Sequence, residues 1–160
     1  MSDMVLRYTS FAYIINYTIP INEYNSSKYT FSYHFQVDRV NLTRLFQGLY
    51  FQVEAHQNLK YQELHEVLHR FANNPLHEHA DMMILVVLSH GRDGKIVTSG
   101  GREFPIESLY EQFNNHMCPL LRGKPKFFII QVIQNLLYRF QFGLGIRVCF
   151  QHCLNAIEIL

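Results

Sequence analysis

Two uninterrupted apolar runs constrain the fold of this chain most strongly. Residues 82–88 read MMILVVL, and residues 126–130 read KFFII and continue into Val132 and Ile133. A strand with one solvated face alternates apolar and polar residues, and these runs do not alternate. Strands that are apolar throughout are typical of a parallel sheet covered by helices on both faces. The two runs therefore predict the central strands of an α/β domain.

The remaining elements alternate between strand and helix along the chain. From hydrophobic periodicity we predict strands at residues 11–17 and 51–55, helices at 38–49, 61–72 and 106–113, a turn and small hairpin between 91 and 105, and a long loop at 18–36. This order of elements indicates an α/β architecture with one sheet.

The composition supports one packed domain and argues against several classes of function. The 160 residues are 48% hydrophobic and 17% charged, so the chain has enough apolar side chains for a core. A formal net charge of +1 without a basic block gives nucleic-acid binding no electrostatic support. No apolar run is long enough to span a membrane. Without a visible secretory signal or a disulfide framework, we expect a cytoplasmic protein.

The candidate site lies where the two apolar strands end. In a parallel sheet, functional residues collect beyond the carboxyl ends of the strands, here residues 89–91 (SHG) and 131–133 (QVI). If the two strands are neighbours, His90 faces whatever follows Gln131. The histidine could serve as the base, and the free backbone N–H of the following glycine could serve as the oxyanion donor. Such chemistry needs a nucleophile on the next strand, and Ile133 cannot supply one.

Motifs around this edge occur in the order and spacing of a known family. Residues 88–91 (LSHG), with Gly94 and Ile96, resemble the motif around a catalytic histidine, and residues 123–131 (GKPKFFIIQ) resemble a strand that leads to a nucleophile. Further matches are Val37-Asp38, Leu42, Phe46, Leu49, residues 51–53, Asn58-Leu59, residues 104–106, Leu109, Phe113 and residues 118–120. Over about residues 11–131 the chain resembles the large subunit of a caspase.

The resemblance implies a fold and a domain organisation. The expected fold is α/β, a caspase-like three-layer sandwich with a mostly parallel sheet and helices on both faces, incomplete because only the large subunit is present. We expect a short N-terminal extension at residues 1–10, the caspase-like domain at 11–133, and a divergent tail of unknown structure at 134–160.

The resemblance also implies an activity and roles for individual residues. Caspases are cysteine endopeptidases that cut after aspartate in apoptosis, and they need no cofactor or metal. His90 matches the catalytic base, Gly91 the oxyanion-hole donor, and Gln131 the glutamine that lines the aspartate pocket. The implied partners are a caspase small subunit or another caspase chain, with protein substrates if the chain is active.

Three departures from the family pattern bear on activity. The family continues Gln-Ala-Cys-Arg-Gly where this chain has Gln131-Val132-Ile133-Gln134-Asn135, so Ile133 occupies the nucleophile position. Residues 31–35 (FSYHF) lack the arginine that pairs with the substrate carboxylate. Residues 134–160 do not resemble a small subunit, so we expect that subunit to be missing. Since removal of a triad nucleophile costs on the order of 10⁶-fold in kcat, we expect no peptidase activity.

Two explanations of these departures remain open. The chain is an inactive decoy that pairs with an active caspase, or it is a truncated or mis-spliced product of a protease gene. The match stops at Gln131, and a valine codon begins with GT, the bases that open an intron. Sequencing the transcript across codons 131–133 separates the two explanations.

One other motif suggests a different function. Residues 65–69 (HEVLH) match the zinc-protease signature H-E-x-x-H, with His65 and His69 as ligands and Glu66 as base, which makes a zinc metallopeptidase a remote alternative. Arg70 and the apolar stripe of this segment favour an ordinary amphipathic helix instead.

The remaining cysteines and histidines receive structural interpretations. Cys149 and Cys153, with His152, lack a second ligand pair, so chance explains them best. We expect Cys118 to be a packed thiol, and His77 and His79 to lie in a solvated loop.

Overall fold

The computed structural model describes residues 10–17, 26–133 and 147–148, with side chains at 10–17 and 36–132. Its elements are β1 (Ser10–Asn16), α1 (Ser26–Gly48), β2 (Gln52–Gln57), α2 (Tyr61–Ala72), β3 (Met82–Arg92), β4 (Lys95–Val97), β5 (Glu103–Pro105), α3 (Ile106–Gln112), β6 (Lys126–Ile133) and β7 (Arg147–Val148), with 3₁₀ turns at Pro75–His79 and Pro119–Leu121.

The two apolar runs are the central strands of one mixed sheet. Strands β2, β1, β3 and β6 lie side by side and all run parallel. Strand β7 pairs antiparallel with β6, and β4 and β5 form antiparallel hairpins on the distal end of β3. The predicted α/β class is therefore confirmed, and β3 and β6 are neighbours, which was the condition for the candidate site.

Helices on both faces of the sheet produce three layers. Alternate residues of β1 point to opposite sides, so Tyr13 packs with Leu68 and Phe71 of α2, whereas Ile14 packs with Phe46 of α1. Helix α3 adds Leu109 to the layer that contains α2. This double coverage is the reason why β1 and β3 are apolar without alternation.

Helix α2 has the bounds that its periodicity predicts. Its first turn begins where the Glu63 carboxylate accepts a hydrogen bond from the Lys60 backbone N–H at 2.7 Å. It ends where the Asn73 side-chain amide donates to the His69 carbonyl at 2.8 Å. None of the helices in the described ranges combines the length and apolar character that a membrane crossing needs.

Helix α1 is longer than predicted, and the long loop predicted at residues 18–36 is wrong over its second half. The helix begins at Ser26 rather than near Asp38. Residues 26–36 (SSKYTFSYHFQ) are mostly Ser, Thr and aromatic residues, which have modest helix propensity, so local preference gave no helix signal. Helix extension is far cheaper than nucleation, so these residues can continue a helix whose later turn is packed against the sheet by Phe46.

The expectation of a solvated loop around His77 is also wrong. His77 lies in the 3₁₀ turn Pro75–His79 and is 0% exposed. Its Nε2 lies 2.9 Å from the Tyr13 hydroxyl, which also accepts a hydrogen bond from the Asn74 side chain at 3.2 Å. Burial, reinforced by the charge of Lys124, lowers the pKa of His77 from 6.5 to about 4. The side chain is therefore neutral at physiological pH.

Candidate active site

The candidate site begins at the distal end of β3. We predicted residues 89–91 to follow this strand, and the structure includes them in it, because β4 folds back and pairs with Gly91 and Arg92. The Ser89 hydroxyl donates to the His90 carbonyl at 2.9 Å and approaches the Val97 carbonyl at 3.1 Å. The backbone that carries His90 is thus held by its own strand and by β4.

The neighbouring strand β6 brings position 133 beside His90. The parallel ladder pairs Leu88 with Gln131, Ser89 with Val132 and His90 with Ile133. Adjacent strands lie about 4.8 Å apart, so one strand spacing separates the two backbones. The predicted proximity of His90 to the residues after Gln131 is confirmed at the level of the backbone.

The His90 side chain is enclosed rather than displayed on the surface. Only 6% of the residue is exposed. Because the imidazole lies at the carboxyl edge of a parallel sheet, its position is the one where α/β folds place functional groups. Gln131 lies two residues before Ile133 on β6 and is half-buried.

Gly91 is fixed by close backbone packing. A Cβ atom at this position would collide with the Lys95 carbonyl oxygen and lie 2.9 Å from Cγ1 of Val132 and 3.0 Å from Cα of Ile96. The β3–β4 hairpin therefore requires glycine here, whatever its backbone N–H does. Packing alone explains the identity of the residue, and an oxyanion role would come in addition.

No thiol lies at this edge among the described residues. Cys118 is fully buried beneath α2, and its Sγ donates to the Ala72 carbonyl at 3.1 Å. Burial raises the pKa of this thiol, so it is a packed side chain, as predicted. Cys149, Cys153 and His152 lie outside the described residues. At this edge His90 pairs with Ile133 in the strand ladder. The imidazole of histidine can accept a proton, whereas the hydrocarbon side chain of isoleucine has no lone pair.

Comparison with known proteins settles the family. A family model described as the caspase domain of peptidase family C14 matches residues 11–137. The chain belongs to the caspase family. Mouse caspase-8 is 31% identical over 118 residues, which cover 74% of this chain and 24% of that protein. Human caspase-10 is 37% identical over 93 residues, which cover 58% of this chain and 18% of that protein.

The fold comparison agrees with the family model. A solved structure titled "structure of pro-sf-caspase-1" superposes with a TM-score of 0.68 at 28% sequence identity, over 85% of this chain and 50% of that one. This caspase-family chain spans a quarter or less of the length of caspase-8 and caspase-10. The matched part has the coverage of a large subunit and contains the edge that carries His90.

In this caspase-family chain, the stretch that lacks the expected arginine lies in a helix. Residues 31–35, which precede Val37-Asp38 and contain no arginine, belong to α1 rather than to the predicted loop. Their side chains lie outside the described set. The sequence of this stretch, FSYHF, contains no guanidinium whatever its local structure.

The zinc-protease motif lies on α2. A catalytic zinc site uses three protein ligands, and the described side chains contain no group of three or more His, Cys, Asp and Glu residues arranged to hold a metal ion. The His65 ring packs against Tyr61 and Phe104 at centroid distances of 5.2 and 5.0 Å. The described residues therefore give the metallopeptidase alternative no support.

Proposed function

We propose that this chain is a caspase-family large-subunit protein without peptidase activity, linked by its family to apoptosis and proteolysis. The observation that carries the proposal is the register of β3 and β6, which sets Ile133 beside His90. A caspase needs a thiolate at that position, and an isoleucine side chain is a hydrocarbon. In this proposal His90 and Gly91 retain the positions of the base and oxyanion donor, and Gln131 that of the pocket glutamine.

Two independent defects support the absence of activity. Loss of the nucleophile alone costs on the order of 10⁶-fold in kcat. Residues 31–35 add a second defect, because they lack the arginine that the caspase pattern places there for substrate recognition. A substitution that repairs one of the two defects leaves the other in place.

A peptidase assay tests this proposal directly. The purified chain is incubated with a fluorogenic peptide that carries aspartate before the scissile bond, and His90→Ala is measured in parallel. We expect both proteins to give the rate of buffer alone. Hydrolysis by the parent chain that disappears in His90→Ala would refute the proposal.

A second candidate function is that of a decoy that pairs with an active caspase chain. Strand β6 favours it, since β7 pairs with its outer side only at Ile129 and Ile130 among the described residues. Phe127 on the same strand is 37% exposed, which leaves apolar surface on β6. A strand from a caspase small subunit or from another caspase chain would extend the sheet there.

Co-expression with a tagged caspase small subunit tests the decoy function. We expect the two chains to co-purify and Phe127→Lys to reduce recovery of the complex. Leu120→Lys is the matched control, because Leu120 is similarly exposed at 36% but lies in the 3₁₀ turn Pro119–Leu121. Failure to co-purify, or an equal loss in both variants, would count against pairing through β6. The cytoplasmic location stays a prediction.

A further inference from the structure

A groove between α2 and α3 is lined by side chains of types that bind metal ions. It has a volume of about 370 Å³ and is lined by His65, Glu66 and His69 of α2 and by Gln112 of α3. The proposed peptidase-like edge uses none of these residues. The groove lies on the outer side of the layer that α2 and α3 form over the sheet.

The helix brings the two histidines of this groove to one face. Residues four positions apart on an α-helix are neighbours, with Cβ atoms about 5–6 Å apart. His65 and His69 have this spacing within α2, and both line the groove. The last turn of the helix is intact around His69, whose carbonyl accepts hydrogen bonds from the backbone and side chain of Asn73.

Aromatic packing also restricts one of the two rings. The His65 imidazole lies between Tyr61 and Phe104, at centroid distances of 5.2 and 5.0 Å. A ring that is already held loses little further conformational entropy when it binds a ligand. The His69 side chain is exposed, so an ion from solvent can reach it.

We propose that His65 and His69 form a two-histidine site for a divalent transition-metal ion, with Zn²⁺ as the probe. Neutral imidazole nitrogens are good zinc ligands, and the Glu66 carboxylate adds a negative charge beside them. Water completes the coordination, because the described residues offer no third ligand of the His, Cys, Asp or Glu type. The site binds zinc reversibly and is not a peptidase centre.

Binding at this site stabilises the folded chain. The two imidazoles are held side by side only while α2 is helical, so the unfolded chain binds the ion less tightly. Zinc therefore raises the melting temperature by an amount that grows with its concentration. Gln112 brings α3 to the same groove, so the ion lies where the two helices meet.

Zinc titration of the full chain tests the site. The background carries Cys149→Ser and Cys153→Ser, because thiols are zinc ligands and their removal excludes a contribution from this pair. Isothermal titration calorimetry and thermal melting are compared for this protein, for His69→Gln and for His79→Gln. His69→Gln is chosen because His69 is exposed, and His79 is the matched exposed histidine in the turn Pro75–His79.

The expected result is a difference between the two variants. Since chelation by two linked ligands exceeds single-ligand affinity by about 10²-fold or more, His69→Gln should weaken zinc binding by about that factor. It should also remove the zinc-dependent rise in melting temperature, and His79→Gln should keep both. Equal zinc affinity and equal melting shifts in the two variants, or no zinc binding by the background protein, would overturn the proposal.

Discussion

His90 and Ile133 are register partners in the parallel ladder between β3 and β6. One strand spacing therefore separates the backbone of a histidine from the backbone of the position that we propose to match the cysteine of the caspase pattern. The arrangement follows from two apolar strands that end at the same edge of the sheet. It makes position 133 the place to test whether the edge retains the electrostatics of a thiol-activating site.

A cysteine introduced at position 133 should be more reactive than one introduced beside it. An imidazole that accepts the thiol proton favours the thiolate, and the thiolate is the species that alkylates. We expect Ile133→Cys to react with iodoacetamide at pH 7 about tenfold faster than Val132→Cys. Peptide mass spectrometry over a time course measures the two rates.

A double substitution tests whether His90 is the group that activates a cysteine at position 133. Ile133→Cys combined with His90→Ala should react at the rate of Val132→Cys. Equal rates with and without His90 would show that the imidazole does not act on position 133. None of these variants should cleave an aspartyl peptide, because residues 31–35 still lack an arginine.

Gly91→Ala should destabilise the fold. The added Cβ meets the Lys95 carbonyl oxygen and the Val132 side chain, so the β3–β4 hairpin must shift. Overpacking of this kind costs about 1–3 kcal/mol in the free energy of unfolding. Gly100→Ala is the control, since no atom lies within 4 Å of its Cβ position, and it should stay within about 0.5 kcal/mol. Urea unfolding measures both, and similar values would contradict the packing argument.

Stability should fall as the pH drops from about 6.5 to about 4. The folded-state pKa of His77 is lowered from 6.5 to about 4 by burial and by Lys124, so in this window the unfolded chain binds the proton and the folded chain does not. The loss approaches about 1.4 kcal/mol per pH unit and about 3 kcal/mol in total. Above pH 6.5 the contribution of neutral His77 to the free energy of unfolding is fully retained.

Two substitutions test whether this pH dependence comes from His77. His77→Gln cannot titrate, so its urea midpoint should change less between pH 6.5 and 4, although it is less stable at pH 7. His79→Gln, at an exposed position in the same turn, should keep the parent profile. The Glu103 carboxyl, whose pKa is lowered by Lys95 and Arg92, acts in the same direction below pH 4.5. A His77→Gln profile equal to that of the parent would disprove the assignment.

The Cys118 thiol should be protected from modification while the protein is folded. It is fully buried, donates to the Ala72 carbonyl, and has a raised pKa because of burial. We expect alkylation of its peptide by iodoacetamide at pH 8 to be slowed at least about tenfold relative to the urea-unfolded chain. Rapid labelling in the native protein would show that this layer of the core opens readily.

The sequence alone determined the elements whose signal is local. The apolar stripe of α2 predicted both of its ends, because capping and periodicity act within a few residues. The uninterrupted runs in β3 and β6 predicted strands buried on both faces. The sequence placed His90 beside the residues after Gln131 only on the condition that the two strands are neighbours, and the structure meets that condition.

Only the tertiary structure decided the features that depend on distant partners. The first half of α1 is helical although its residues have modest helix propensity, and β3 continues through His90 because β4 pairs with its end. His77 is buried because the Tyr13 hydroxyl, 64 positions away, supplies a hydrogen-bond partner for a polar side chain in the core. Local sequence fixes what a segment prefers, whereas burial and long-range hydrogen bonds depend on which other segments the fold brings against it.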